Sequence, residues 1–145
     1  MVYLDTSSLL KLIWLEEESE AVGDRVSRED AVLVSSLTEL ESSIQITAAH
    51  LRGDYSLVRS RRLLKELAAL LESEPFERRA LSGDVFKLAW IQHSRSGITG
   101  FCRTLDRLHL AAMQELGQNR LITNDAQQAE AARALGFVAE TPISS

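Results

Sequence analysis

Short apolar runs alternate with longer stretches of helical periodicity from one end of this chain to the other. That alternation constrains the fold most, because parallel strands cannot be joined by tight turns. Each needs a crossover, and helices supply it while covering the sheet faces. The spacing predicts strands over residues 2–4, 31–35, 120–123 and 137–139, with a short edge strand over 77–81. Between them it predicts helices over 6–15, 17–26, 37–51, 55–72, 82–94, 105–116 and 126–135. The two prolines and seven glycines fall almost entirely at these boundaries, as in Gly53-Asp54, Pro75, Gly97, Gly100, Gly117 and Gly136. Gly117 has the place of a glycine just past a helix C-terminus. The expected fold class is therefore α/β, a parallel five-stranded sheet flanked by helices.

With 145 residues, 45% hydrophobic and 26% charged, the chain can bury a core as one domain, expected to span 1–145. Cys102 is the single cysteine. It can form neither an internal disulfide nor a thiolate cluster, so any metal would be held by oxygen or imidazole, and a reducing cytoplasm is the expected compartment. No run approaches the roughly 20 apolar residues that span a bilayer, and Asp5 and Lys11 interrupt the first apolar segment. Neither a membrane anchor nor an export signal is expected. The formal net charge of −5 argues against broad adhesion to nucleic acid. Local contact is another matter, since 13 of the 16 basic residues are arginine. Arg59, Arg61 and Arg62 suit either bidentate phosphate contacts or a solvated helix face paired with Glu66.

Four acids stand at telling places. Asp5 follows the first strand, Asp125 follows the 120–123 strand, Asp106 opens a helix, and Glu41 lies in the helix after the second strand. Ligands of open α/β sheets bind outside the carboxyl ends of the strands. Taken singly, Asp5 and Asp125 read equally well as N-caps, and Asp106 as first-turn compensation of the helix dipole. Glu41 falls within a stripe of Leu37, Leu40, Ile44 and Ala48 expected to face the core, where a carboxylate is costly unless paired. Glu39, turned about 200° from it, is expected to face solvent. Carboxylates converging on one sheet edge repel, and a divalent cation such as Mg²⁺ or Mn²⁺ is the physical remedy. No glycine-rich phosphate loop is present, so nucleoside triphosphate chemistry has no support.

Four segments then stand together: Tyr3-Leu4-Asp5-Thr6-Ser7; Ser36-Leu37-Thr38 with Glu41; Arg103-Thr104-Leu105-Asp106-Arg107-Leu108-His109-Leu110-Ala111; and Ile122-Thr123-Asn124-Asp125. In this order they resemble the PIN-domain ribonucleases, and above all the VapC-type toxins of bacterial and archaeal toxin–antitoxin modules. The likeness covers nearly the whole chain. It implies a PIN-like fold in which Asp5, Glu41, Asp106 and Asp125 are the catalytic, metal-holding acids. Ser7 and Thr123 match positions whose hydroxyls lie beside that site, and Asn124 a more variable one. The implied activity is Mg²⁺- or Mn²⁺-dependent endonucleolytic cleavage of RNA by water attack, leaving 5′-phosphate and 3′-hydroxyl ends. The implied partners are the RNA, a small VapB-like antitoxin whose tail covers the acidic groove, and a second copy in a homodimer. Residues 53–100 carry no family motif and are expected to hold substrate choice and dimer contacts.

Other readings share parts of this pattern. A housekeeping RNA-processing PIN nuclease would have the same acids, and a catalytically silent PIN-like RNA- or protein-binding module the same fold. A haloacid-dehalogenase-like phosphatase needs a second Asp where this chain has Ser7. A phosphoacceptor receiver domain needs paired acids after the first strand and a late lysine, whereas the last lysine here is Lys87. His109 is expected to be a hydrogen-bonded core histidine rather than a metal ligand. His50 and His93 read as helix-end or surface residues, and Cys102 as an inert thiol. Trp14 and Trp90 are expected to be core or interface anchors; exposure of either would reopen a base-stacking role.

Overall fold

The computed structural model describes residues 1–143. The chain begins with β1 (Val2–Leu4), α1 (Thr6–Ile13), α2 (Ser19–Val26), β2 (Val32–Ser35), α3 (Ser36–Leu51) and α4 (Leu57–Leu71). It continues with β3 (Phe76–Arg79), α5 (Asp84–Ser96), α6 (Thr104–Glu115), β4 (Arg120–Ile122), α7 (Ala126–Ala134) and β5 (Val138–Glu140). The five strands pair in parallel in the order β3-β2-β1-β4-β5. The expected α/β class and edge strand are both present.

β1 is central, and its side chains alternate between two cores. Val2 and Leu4 pack with Leu9, Ile46, Leu63 and Leu67 on one face of the sheet. Tyr3 packs on the other face with Leu33, Leu110, Met113 and Leu121. With both faces covered, the strand is wholly buried, as parallel strands are. From β1 the chain builds outward to β2 and β3 and then returns to add β4 and β5 on the opposite side. Strand order therefore reverses between β1 and β4, and a crevice opens outside their carboxyl ends.

Element boundaries differ from expectation by at most two residues, and the larger shifts have physical causes. β3 starts at Phe76 because that residue pairs with Val32 and packs on the first core. α5 runs on to Ser96, where Gly97 leaves helical backbone at φ +61°. Gly117, at φ +68°, closes α6 as expected, a conformation only glycine takes cheaply.

The stripe expected to be buried on α3 is not the buried one. Thr38, Ser42, Ile46 and Ala49 face inward, while Leu40 and Ile44 are 59% and 56% exposed. Hydroxyl pairing sets this rotation. Ser35 caps the helix by accepting from Thr38 N at 3.3 Å, and Thr38 Oγ1 lies 3.3 Å from the buried Tyr3 hydroxyl. Satisfying those groups carries Leu40 and Ile44 outward. Among the described residues no helix is long and apolar enough to cross a membrane.

Candidate active site

Asp5 and Asp125 flank the crevice, one directly after β1 and the other three residues beyond β4. Asp5 caps α1: its Oδ1 accepts from Ser8 N at 3.2 Å and Ser7 Oγ at 2.7 Å, and Thr123 Oγ1 donates to Oδ2. The side chain is buried. Burial pushes its carboxyl above the ordinary range, against the pull of His109 and of these hydrogen bonds. Asp125 caps α7, its Oδ1 accepting from Gln127 N at 2.9 Å and Gln128 N at 3.2 Å. The N-cap reading of both residues is thus correct, and it does not compete with a site. A cap that points carboxylates along the sheet edge also gathers them there.

Ser7, Thr123 and Asn124 stitch the two strand ends together. Ser7 Oγ lies 3.2 Å from Thr123 Oγ1 and accepts from Asn124 N at 2.9 Å. Asn124 Oδ1 accepts from Ser8 Oγ at 2.7 Å, while its Nδ2 donates to Pro142 O at 2.8 Å. Asp125 N donates to Thr123 Oγ1 at 3.1 Å. All three sequence-predicted neighbours therefore touch the Asp5–Asp125 edge.

Asp106 and Glu41 reach the same region from α6 and α3. Among the described residues Asp106 Oδ2 is buried without a hydrogen-bond partner, with Arg103 Nε 3.6 Å away. Burial, then the charges of Asp125 and Glu41, hold the Asp106 carboxyl above its usual range despite Arg103 and His109. Glu41 goes the other way. Burial opposes its ionisation, but hydrogen bonds from His109 Nε2, at 2.8 Å, and from Thr6 outweigh that and bring its pKa below the usual value. Glu39 pairs with Arg78 on the surface, as expected of a solvent-facing acid.

Among the described residues no three His, Cys, Asp or Glu side chains stand close enough to cage an ion by themselves. Mg²⁺ takes only one or two carboxylates and keeps several waters, so a sparse oxygen set fits it. The orphaned Asp106 Oδ2 and the mutual repulsion of the acids fit it too. Sequence reasoning quoted Tyr3, Thr6 and Arg103 without a role for them. A tyrosine inside an otherwise aliphatic central strand was the available signal, since a buried phenol needs a partner.

His109 is buried and hydrogen-bonded, as expected. His50 and His93 lie in the last turns of α3 and α5. Cys102 is buried, and burial raises its thiol pKa. Arg59 lies over the Tyr55 ring at 4.8 Å, and its cluster sits on α4, which gives no residue to this site. Trp14 is half-buried against the first core. Trp90 departs from a core role: it is 70% exposed, and with Phe86 and Phe101 it lines a groove of about 510 Å³ that reaches Arg103.

A chain with this topology and this row of acids is a PIN-domain protein; the PIN domain model matches residues 2–134, and the chain belongs to that family. It is 31% identical over 148 residues to Ribonuclease VapC35 of Mycobacterium tuberculosis, covering 98% of this chain and 97% of that protein. Among solved structures it resembles Mycobacterium tuberculosis VapC20, described as a sarcin–ricin loop cleaving toxin, with a TM-score of 0.69, 19% identity and 95% and 97% coverage of the two chains. It also resembles VapBC2 of Rickettsia felis bound to a promoter DNA fragment, with a TM-score of 0.70, 14% identity and 98% and 99% coverage. These structural likenesses establish the shared fold.

Proposed function

We propose that this chain is a divalent-cation-dependent endoribonuclease, the toxin of a VapBC-type toxin–antitoxin pair, working in the cytoplasm as one domain over 1–145. The observation that carries this reading is the coupled acid edge. Asp5 and Asp125 flank the point where strand order reverses, and burial together with the charges of Asp125 and Glu41 pushes the Asp106 carboxyl above its usual range. Family membership and the identity with a VapC ribonuclease support RNA as the substrate. The VapBC2 likeness supports a small VapB-like antitoxin as partner.

Asp5, Glu41, Asp106 and Asp125 would hold Mg²⁺ or Mn²⁺. When bound, such an ion supplies an acidified water for attack on phosphorus and charge compensation for the phosphate oxygens. The chain's own residues prepare the site. Ser7 and Thr123 orient the Asp5 carboxylate, and Asn124, tied to Ser8 and Pro142, holds the turn that aims Asp125. Arg103 is exposed beside Asp106 and is placed to meet a phosphate that enters the crevice. Cleavage would leave 5′-phosphate and 3′-hydroxyl ends. A homodimer is part of the reading, with Leu40 and Ile44 of α3 and Phe86 and Trp90 of α5 offering apolar surface to a second copy.

The test is cleavage of a mixed structured RNA pool with Mg²⁺, with Mn²⁺ and with EDTA, beside Asp5→Asn. Cleavage is expected only with metal, and the isosteric variant should fold normally yet lose activity on the order of 100-fold or more. Full activity in EDTA, or in a folded and repurified variant, would refute it. No cleavage and no metal binding would point instead to a silent PIN-like binding module.

A further inference from the structure

A buried chain of hydrogen bonds runs from β1 through α6 to α3 and ends on Glu41. Tyr3 and His109 are 0% and 2% exposed. The Tyr3 hydroxyl lies 2.9 Å from His109 Nδ1 and 2.7 Å from Ser35 Oγ, and His109 Nε2 lies 2.8 Å from Glu41 Oε1.

The proton directions follow from the chemistry of the ends. A carboxylate only accepts, so the Nε2 proton must sit on the side of Glu41. Nδ1 is then unprotonated and accepts from the Tyr3 O–H. The Tyr3 oxygen in turn can accept from Ser35, whose own oxygen accepts from Thr38 N. Every donor in the chain has one acceptor, and one histidine tautomer satisfies all of them. Thr6 Oγ1 also donates to the same Glu41 Oε1, so the carboxylate is gripped through one oxygen from two sides. That grip fixes the direction of the other oxygen.

We propose that Tyr3 and His109 are positioning residues of the nuclease, a buried relay that grips one oxygen of Glu41 and aims its carboxylate into the acid cluster. The proposal rests on the reading of Glu41 as a cation-facing acid. Outer partners that orient a ligating carboxylate typically change metal affinity or activity about 10- to 100-fold when removed. A purely structural role for the pair would cost stability and leave the metal untouched.

Mn²⁺ binding, measured by calorimetry and by the Mn²⁺ resonance spectrum, separates the two, alongside kcat and KM for RNA. Tyr3→Phe keeps the ring and removes one hydroxyl. His109→Gln keeps a donor near Nε2, and His109→Leu removes it. Tyr3→Phe and His109→Leu are expected to weaken Mn²⁺ binding about tenfold and lower kcat with KM for RNA little changed, with partial rescue in His109→Gln. In a Glu41→Gln background, adding Tyr3→Phe should cost nothing further, because the relay acts through Glu41. Wild-type Mn²⁺ affinity in folded Tyr3→Phe and His109→Gln, with Glu41→Gln impaired, would overturn the relay alone. Unchanged Mn²⁺ binding in Glu41→Gln itself would overturn the cation-facing reading of Glu41 and the relay with it. Should His109→Leu fail to fold, Tyr3→Phe and His109→Gln decide the matter.

Discussion

Asp106 and Glu41 belong to one acid cluster yet are driven in opposite directions, because only Glu41 has donors. Asp106 and Asp5 ionise above the ordinary Asp value of 3.8 in the fold. From that value upward through the raised range the folded chain holds more protons than the unfolded one, so both residues cost stability as pH rises. Glu41 has the reverse sign: its contribution is present above the ordinary Glu value of 4.5 and is lost as pH falls through its lowered one. Asp106→Asn should therefore raise the melting temperature of the metal-free protein at neutral pH, by on the order of 2 °C, and have less effect near pH 4. It should also shrink the rise that Mn²⁺ gives the wild type. Calorimetric melts across that pH range check both; a variant that melts lower at neutral pH would show that the repulsion at Asp106 is already relieved.

At the scale of the element, α3 carries two competing faces. One is apolar, with Leu40 and Ile44; the other bears Thr38 and Ser42 and is the one turned inward. Thr38 joins the Tyr3 and Ser35 hydroxyls, but among the described residues Ser42 Oγ is buried without a hydrogen-bond partner. Removing an unsatisfied buried hydroxyl and adding a better helix former both favour the folded state. Ser42→Ala should thus stabilise the protein by on the order of 1 kcal/mol in denaturant titrations. A loss of similar size would mean that the hydroxyl is satisfied in solution. The misread face has the same origin. Apolar periodicity assumes that the buried stripe is the greasy one, and here a hydroxyl cluster sited by β1 outranks it.

At the scale of the whole molecule, α5 and α6 leave an apolar surface uncovered while the inner strands β1 and β2 are wholly buried. Phe86 and Trp90 on α5 are 66% and 70% exposed, and Leu105 on α6 is 47% exposed. These residues lie in or beside the 53–100 segment that carries no family motif. A second copy seated there would bury large aromatic area, which dominates interface energy. Trp90→Glu should convert a dimer to a monomer in light-scattering measurements with its circular dichroism unchanged. An unchanged mass would place the dimer contact elsewhere.

The α/β class, the five parallel strands and the acids at their ends are legible along the chain, because alternation and capping are local and are written in neighbouring residues. Asp5 and Asp125 were legible for that reason: each follows a strand and opens a helix. The strand order, the rotation of α3 and the Tyr3–His109–Glu41 chain were decided only by tertiary structure. Tyr3 and His109 are separated by 106 positions, and His109 and Glu41 by 68. Periodicity reports that such residues are buried, but only packing decides which buried polar atom meets which, since each pairing must offset its own desolvation.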